Sequence, residues 1–327
     1  MAKAISLLSG GLDSILATVL MKKLGVDVEA VTFMTPFMTS NKPVKTSSRL
    51  CERFNIAHHV INLELSEEYL EVIRSPKHGY GKNINPCIDC HIFMIKKAAE
   101  LMQKVGGDFI VTGEVAGERP MSQRKDIFNL INKETGLNGL ILRPLSAKVL
   151  KETVPEKEGW VEREKLLGIS GRSRKRQFEL AKEYNIKEYP SPAGGCLLTD
   201  EQYCRRLGDL LEHKKLTPQN ANLLKVGRHF RLDKGHKLIL GRNKAENDIL
   251  EEKGSDQIML VPVDIPGPSG VFSGNYETGL VKLAASILMH YTKAKKEQEV
   301  RLINTGAEES SLRAEPADRS VVEKYMV

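Results

Sequence analysis

Six residues near the start of the chain, Ser9-Gly10-Gly11-Leu12-Asp13-Ser14, constrain the fold more than any other segment. They separate a short apolar run, Ile5–Leu8, that reads as a strand from Asp13–Leu24, whose apolar residues recur at helical spacing and stop at Gly25. The glycines let the backbone bend tightly and bring its N–H groups up to an anion. The positive end of the following helix, which Ser14 starts, favours the same anion. Asp13 is placed to coordinate Mg²⁺ bridging phosphates. The segment does not end in Gly-Lys-Ser/Thr, so it is not a Walker A loop. A plain turn and helix cap is the alternative reading.

The first half of the chain continues this alternation. Strand signals at Val28–Phe33, Ala57–Leu63 and Phe109–Thr112 are interleaved with helical patterns at Val44–Phe54 and Cys90–Val105. On the last helix Ile92, Ile95, Ala99 and Met102 share one face, and Gly113 closes the last strand. Such a βαβα order predicts an α/β fold, a parallel sheet with helices on both faces. In that architecture ligands gather outside the carboxyl ends of the strands. From Leu140 to Tyr189 the pattern reads as mostly helical and carries a basic run at Arg172, Arg174, Lys175 and Arg176. Pro190, Pro192, Gly194 and Gly195 then predict a rigid turn that presents Cys196.

Beyond this turn the style changes. Helices are expected at Asp200–Glu212, Pro218–Leu224, Lys244–Lys253 and Thr278–Lys295. Strands are expected at His229–Leu232, Lys237–Leu240 and Ile258–Val263, and a glycine/proline loop follows the last of them. This reads as a second, smaller α+β domain, dividing the chain into residues 1–198 and 199–327. The polar end from about Gly306 is expected to be poorly ordered.

Hydrophobic residues make up 41% of the 327 and charged residues 28%, ordinary for a globular protein. The longest apolar runs, such as Ile15–Met21, fall far short of the ~20 residues of a membrane span. With no leader-like segment before Ile5, a cytoplasmic location and no membrane partner are the expectation. A net charge of +7 suits a polyanionic partner.

Among five cysteines, two stand as Cys87-Ile88-Asp89-Cys90 after Asn85-Pro86. In a reducing compartment this spacing indicates a metal, cluster or redox site ahead of a structural disulfide. The start of a helix is expected to lower their thiol pKa. With Cys196 they make an incomplete tetrahedral set. Three readings stay open: a 4Fe-4S cluster on Cys87, Cys90 and Cys196 with one open iron, a cluster-free persulfide and resolving pair, and zinc with His91 as fourth ligand. Cys51 and Cys204 lie outside any motif and read as packing residues.

The hexapeptide resembles the SGGxDS signature of the pyrophosphatase-loop superfamily. Together with the ordered cysteines it makes residues 1–198 resemble the bacterial tRNA 2-thiouridylases and 4-thiouridine synthetases. Asn85-Pro86-Cys87-x-x-Cys90 is similar to the 2-thiouridylase motif, and the loop before Cys196 to one that returns a distant cysteine to the active site. Gly113-Glu114-x-x-Gly117-x-x-x-x-Ser122-Gln123 and Arg143-Pro144-Leu145 look more like the 4-thiouridine enzyme. The resemblance implies an adenine nucleotide alpha hydrolase-like domain binding ATP and Mg²⁺ through Ser9, Gly10, Gly11, Asp13 and Ser14. Phe33 would pack on the adenine, and Gly113 would belong to the nucleotide site. It implies ATP-dependent thiolation of a tRNA uridine, with Asp13, Cys87, Cys90 and Cys196 catalytic and with sulfide or a persulfide carrier protein as donor. Sulfur transfer to a small molecule or cofactor is the alternative. The N-terminal RNA-binding extension of the 4-thiouridine enzymes is missing before the loop, and the second half does not read as the β-barrel pair of the 2-thiouridylases.

Arg205, Arg206, Lys214, Lys215, Lys225, Arg228, Arg231, Lys234, Lys237, Arg242 and Lys244 crowd a stretch whose acids are Asp209, Glu212 and Asp233. That imbalance is expected to bind RNA phosphates, with His229 and Phe230 as stacking surfaces. Asn222–Asn247 resembles an RNA-binding module of ribosome-quality-control proteins.

Overall fold

The computed structural model describes residues 2–190, 195–254, 257–303 and 310–327. The chain divides into two compact units, Met1–Asp200 and Glu201–Val327.

In the first unit the strands are β1 (Lys3–Leu7), β2 (Asp27–Met34), β3 (Ala57–Asn62), β4 (Phe109–Val111) and β5 (Ile141–Leu142). The helices are α1 (Leu12–Lys23), α2 (Lys42–Phe54), α3 (Glu67–Arg74), α4 (Cys87–Val105), α5 (Lys125–Thr135), α6 (Val154–Lys157) and α7 (Lys175–Glu183). The strands form one parallel sheet in the order β3-β2-β1-β4-β5. Alternation along each strand feeds two cores. Ala4, Ala30, Phe109 and Val111 join Leu16, Leu50 and Leu180 on one side, whereas Ile5, Val31 and Ile110 join Ile92, Ile95 and Ile131 on the other. Helices therefore cover both faces, as a sheet with two apolar faces requires. The strand order reverses between β1 and β4, so the loops leaving these two strands diverge and open the crevice in which such sheets bind ligands.

Residues 140–189 are not mostly helical. Between β5 and α7 they hold α6 and two single 3₁₀ turns, at Ala147–Val149 and Arg163–Lys165. Their helix-forming composition yields to tertiary packing: Leu145, Ala147, Val161 and Leu166 bury into the α1 side of the core from turns, bends and a 3₁₀ turn. The expected turn over residues 191–194 lies outside the described residues.

The second unit contains α8 (Glu201–Glu212), α9 (Pro218–Leu223), β6 (Arg228–Arg231), β7 (Lys237–Leu240), α10 (Lys244–Lys253), β8 (Ile258–Pro262), β9 (Gly270–Ser273), α11 (Thr278–His290), β10 (Gln298–Ile303), β11 (Ser310–Ala314) and α12 (Arg319–Tyr325). Its strands form an antiparallel sheet in the order β11-β10-β8-β9-β7-β6. Phe230, Leu238, Leu260 and Phe272 pack on Ala284 and Leu288 of α11, while Ile239, Met259 and Val271 face Leu223 and Leu250. The glycine/proline loop contains a strand, β9, and the polar end is ordered from Ser310 onward as β11 and α12, anchored by buried Ala314 and Val322. Among the described residues no helix is long and apolar enough to cross a membrane.

Candidate functional site

The segment Ser9–Ser14 leaves β1 at the reversal point and enters α1. The Ser9 N–H donates to Ser14 Oγ (3.2 Å), and that hydroxyl donates to the Gly11 carbonyl (2.8 Å). Gly10 has φ +75°, and a Cβ there would lie 2.5 Å from the Pro43 carbonyl oxygen, so both conformation and space demand glycine. Gly11 is the N-cap and supplies no side chain to the first turn, which leaves α1's leading N–H groups facing outward. Gly113, two residues past β4, is the other tight contact. A Cβ there would meet Ser14 N and Cα at 2.4 Å, so the two loops flanking the crevice touch backbone to backbone.

Asp13 is mostly buried, with its Oδ2 2.6 Å from Arg174 Nη2. Burial raises its pKa above the usual carboxylate value, and the Arg174 guanidinium opposes that rise. Its Oδ1 is buried with no hydrogen-bond partner. That acceptor fits a divalent cation, which prefers hard oxygen ligands. Arg174 also approaches Glu118 Oε1 at 3.6 Å, and Arg176 pairs with Glu179 and Glu183. Half of that basic run is therefore engaged within its own unit.

Cys87 opens α4, and the Asn85 amide donates to its Sγ at 3.3 Å. One turn on, Cys90 Sγ lies 3.4 Å from the Tyr69 hydroxyl. Burial pushes the Cys90 thiol up to about 12, with smaller upward pushes from Cys196 and Cys87. The expectation that the helix start would lower it is overturned: desolvation outweighs the helix end here. Cys196 arrives from a different direction, forming an antiparallel bridge with Met38 just after β2. Leu197 N–H donates to the Phe37 carbonyl (2.8 Å), and Phe37 packs on Tyr69. Cys196 and Cys90 both act electrostatically on Tyr69, so the distant cysteine shares the neighbourhood of the helix pair. None of the five cysteines is in a disulfide, and Cys51 and Cys204 are buried in packing positions.

Three thiols from two segments are a donor set that could hold a polynuclear cluster or, with a fourth ligand, a single ion. His91, the fourth ligand of the zinc reading, instead directs Nδ1 to Glu114 Oε1 at 2.8 Å.

Glu114, which the sequence reading named only as part of the Gly113-Glu114 segment, is a charged junction. Fully buried, it accepts from Arg143 Nε (2.9 Å) and Thr112 Oγ1 (3.0 Å) as well as pairing with His91. Burial alone would raise its carboxyl, but Arg143 and His91 outweigh it and hold the group down at about 2. Since Glu114 follows Gly113, this network ties the cysteine helix to the loop that touches Ser14. Phe33, at the end of β2, is half-buried and packs on the cluster containing Ile88 and Ile92 of α4.

In the second unit His229 and Phe230 are fully buried, so neither is the expected stacking surface. The register of β6 against β7 sends Phe230 into one core and His229 toward the other face. Arg231 and Lys237 turn inward onto Asp209, while Lys214, Lys215 and Lys234 stay exposed.

Residues 1–155 match the family model described as Thiamine biosynthesis protein (ThiI). That match falls within the first unit. Residues 227–326 match the NFACT protein RNA binding domain. Curated relatives include a tRNA-specific 2-thiouridylase of Fusobacterium nucleatum, 28% identical over 35% of this chain and 34% of its own. A "Probable tRNA sulfurtransferase" of Lysinibacillus sphaericus is 34% identical over 44% of this chain and 34% of its own. A 7-cyano-7-deazaguanine synthase of Methanocaldococcus jannaschii is 30% identical over 41% and 57%. The chain thus spans between a third and rather more than half of the length of these relatives.

Proposed function

We propose that the protein uses ATP to thiolate a uridine of tRNA. One observation carries this reading: three cysteines from two distant segments converge at α4, whose His91–Glu114 link leads through Gly113 to the phosphate loop. The relatives named as a 2-thiouridylase and a tRNA sulfurtransferase, and the NFACT-type RNA-binding match, support the same substrate.

The leading N–H groups of α1 and the Ser9–Gly11 backbone hold the pyrophosphate portion of ATP. Asp13 offers its unpartnered Oδ1 to Mg²⁺ across the phosphates, and Phe33 lies where the adenine packs. The uracil carbonyl oxygen attacks the α-phosphorus and pyrophosphate leaves, which turns that oxygen into part of an AMP leaving group. Hydrosulfide then attacks the ring carbon and expels AMP with the former carbonyl oxygen. The loop N–H groups oppose the negative charge that develops on the phosphate. Cys87, Cys90 and Cys196 fit a 4Fe-4S cluster, which when bound supplies one iron without a protein thiolate as an open position for sulfide. Tyr69 and Asn85 hold the Cys90 and Cys87 sulfurs in place.

Mass spectrometry of tRNA nucleosides from a strain lacking this protein tests the reading. Loss of one thiolated uridine, restored by the wild-type gene and not by Asp13→Ala, is the expected result. An unchanged nucleoside profile removes tRNA as the substrate.

A further inference from the structure

The antiparallel register of β6 and β7 sets Arg231 directly across from Lys237. Like charges opposite one another weaken a sheet, and the Lys237 side chain is only 5% exposed and that of Arg231 14%. They share one carboxylate. Asp209, from α8, accepts Arg231 Nε and Nη2 at 2.7 and 2.8 Å and the Lys237 ammonium at 2.6 Å. Two cations against one acid leave a net positive charge in a poorly solvated place, and Arg206 acts on Lys237 with the same sign. A buried charge without full compensation is costly. A structural tie between α8 and the sheet needs one cation rather than two.

Arg231 and Lys237 line a cavity of about 240 Å³. Its rim carries Lys215, which is exposed, and its apolar wall includes Leu210 and Ile239. His229, next along the same face as Arg231, also lines it. The His229 Nε2–H donates to the Val226 carbonyl at 2.8 Å, which makes Nδ1 the unprotonated nitrogen, and Nδ1 is buried with no partner. One wall therefore offers cationic donors and another offers a lone acceptor. An acceptor of that kind takes a hydroxyl or N–H donor, not an anion. The volume lies below the ~300–1,000 Å³ of sites that enclose drug-sized ligands, and suits a phosphate with its sugar.

We propose that this cavity of the second unit takes one phosphate–ribose unit of an RNA strand, the phosphate bound by Lys237, Arg231 and Lys215 and the 2′-hydroxyl by His229 Nδ1. The proposal rests on the RNA-binding reading above and assigns it an anchoring site. Asp209 accepts three donor contacts and has His213 Nδ1 3.6 Å from its Oδ1, while Lys237 and Arg231 keep further N–H groups for a phosphate oxygen.

Binding of the full-length protein to a single-stranded oligoribonucleotide, its DNA counterpart and a free nucleoside monophosphate, each across a salt series, tests this. Wild-type protein is expected to prefer the RNA strand to the DNA strand. Lys237→Met, with an unchanged circular dichroism spectrum, is expected to weaken RNA binding about tenfold, as loss of a charge-assisted contact does. It should also lower the salt slope by about 0.7, the value of one single-strand phosphate contact. Lys215→Ala, at an exposed position where folding is not at risk, is expected to lower the same slope. His229→Phe is expected to erase the preference for RNA over DNA. Unaltered RNA binding in both lysine variants overturns the phosphate site, and an RNA preference retained in His229→Phe overturns the ribose contact. Tighter binding of the free monophosphate than of the strand overturns an RNA occupant. Failure of the wild-type protein to bind any RNA is a different result, and it removes the RNA-binding reading itself.

Discussion

Arg174 holds Asp13. The guanidinium Nη2 stands 2.6 Å from the carboxylate, although 161 positions separate the two in the chain. The contact neutralises an acid that burial would otherwise make costly to ionise, and it keeps the start of α1 charged beside the phosphate loop. Arg174→Gln is expected to destabilise the first unit by about 1–3 kcal/mol, since it strands a partly buried charge. It should lower AMP formation at subsaturating ATP. Asp13→Asn should abolish AMP formation while RNA affinity stays within about twofold of wild type, because a neutral amide loses the charge-assisted contacts but alters nothing in the second unit. Thermal melts, AMP assays and RNA titrations separate these effects; normal AMP release by Asp13→Asn would refute the role given to that carboxylate.

The cysteines differ in their chemistry before any metal enters. A thiol with a pKa of about 12 is only about one part in ten thousand thiolate at pH 8. Cys90 should therefore alkylate far more slowly than exposed Cys196, as read by peptide mass spectrometry. Cluster assembly must release that proton, so uptake should strengthen with rising pH. Cys87→Ala, Cys90→Ala and Cys196→Ala should each remove the visible absorbance of anaerobically reconstituted protein, whereas Cys51→Ala should keep it. Retention of the colour in all three motif variants would leave the persulfide route as the better account.

Gly113 carries a prediction that is steric, not chemical. Its missing Cβ would sit 2.4 Å from Ser14 backbone atoms. Gly113→Ala should cost about 1–3 kcal/mol through forced backbone displacement and should suppress AMP formation with it. Gly279→Ala, inside α11 with open space around the added methyl, should stabilise the second unit by about 0.5–1 kcal/mol. Equal behaviour of the two variants in melting experiments and AMP assays would show that loop contact does not matter.

Glu114 sets an acid limit on the first unit. Its folded pKa of about 2 lies below the ordinary 4.5, so its contribution is complete above pH 4.5 and drains away as pH falls toward 2. A displacement of that size corresponds to on the order of 3 kcal/mol. Glu114→Gln should destabilise the protein at pH 7 and flatten the fall in denaturation midpoint between pH 4.5 and pH 2. A slope identical to wild type would place the acid sensitivity elsewhere.

Local order in the chain sufficed to specify four strands of the parallel sheet, because strand and helix periods alternate cleanly from Ile5 to Thr112, whereas β5 falls in a stretch that reads as helical. The glycine turn after β1 and the Cys87/Cys90 pair stand out for the same reason: each depends on residue type at short spacing. What the sequence could not convey was which charges meet. Arg172–Arg176 read as a basic run and Arg205–Lys244 as a face for RNA phosphates, yet Arg174 turns onto Asp13 and Arg231 and Lys237 onto Asp209. Burial likewise reversed the expectation for Cys90 and hid His229 and Phe230. Pairing and desolvation are long-range quantities, fixed when segments far apart in the chain exclude water between them, and only the tertiary structure decides them.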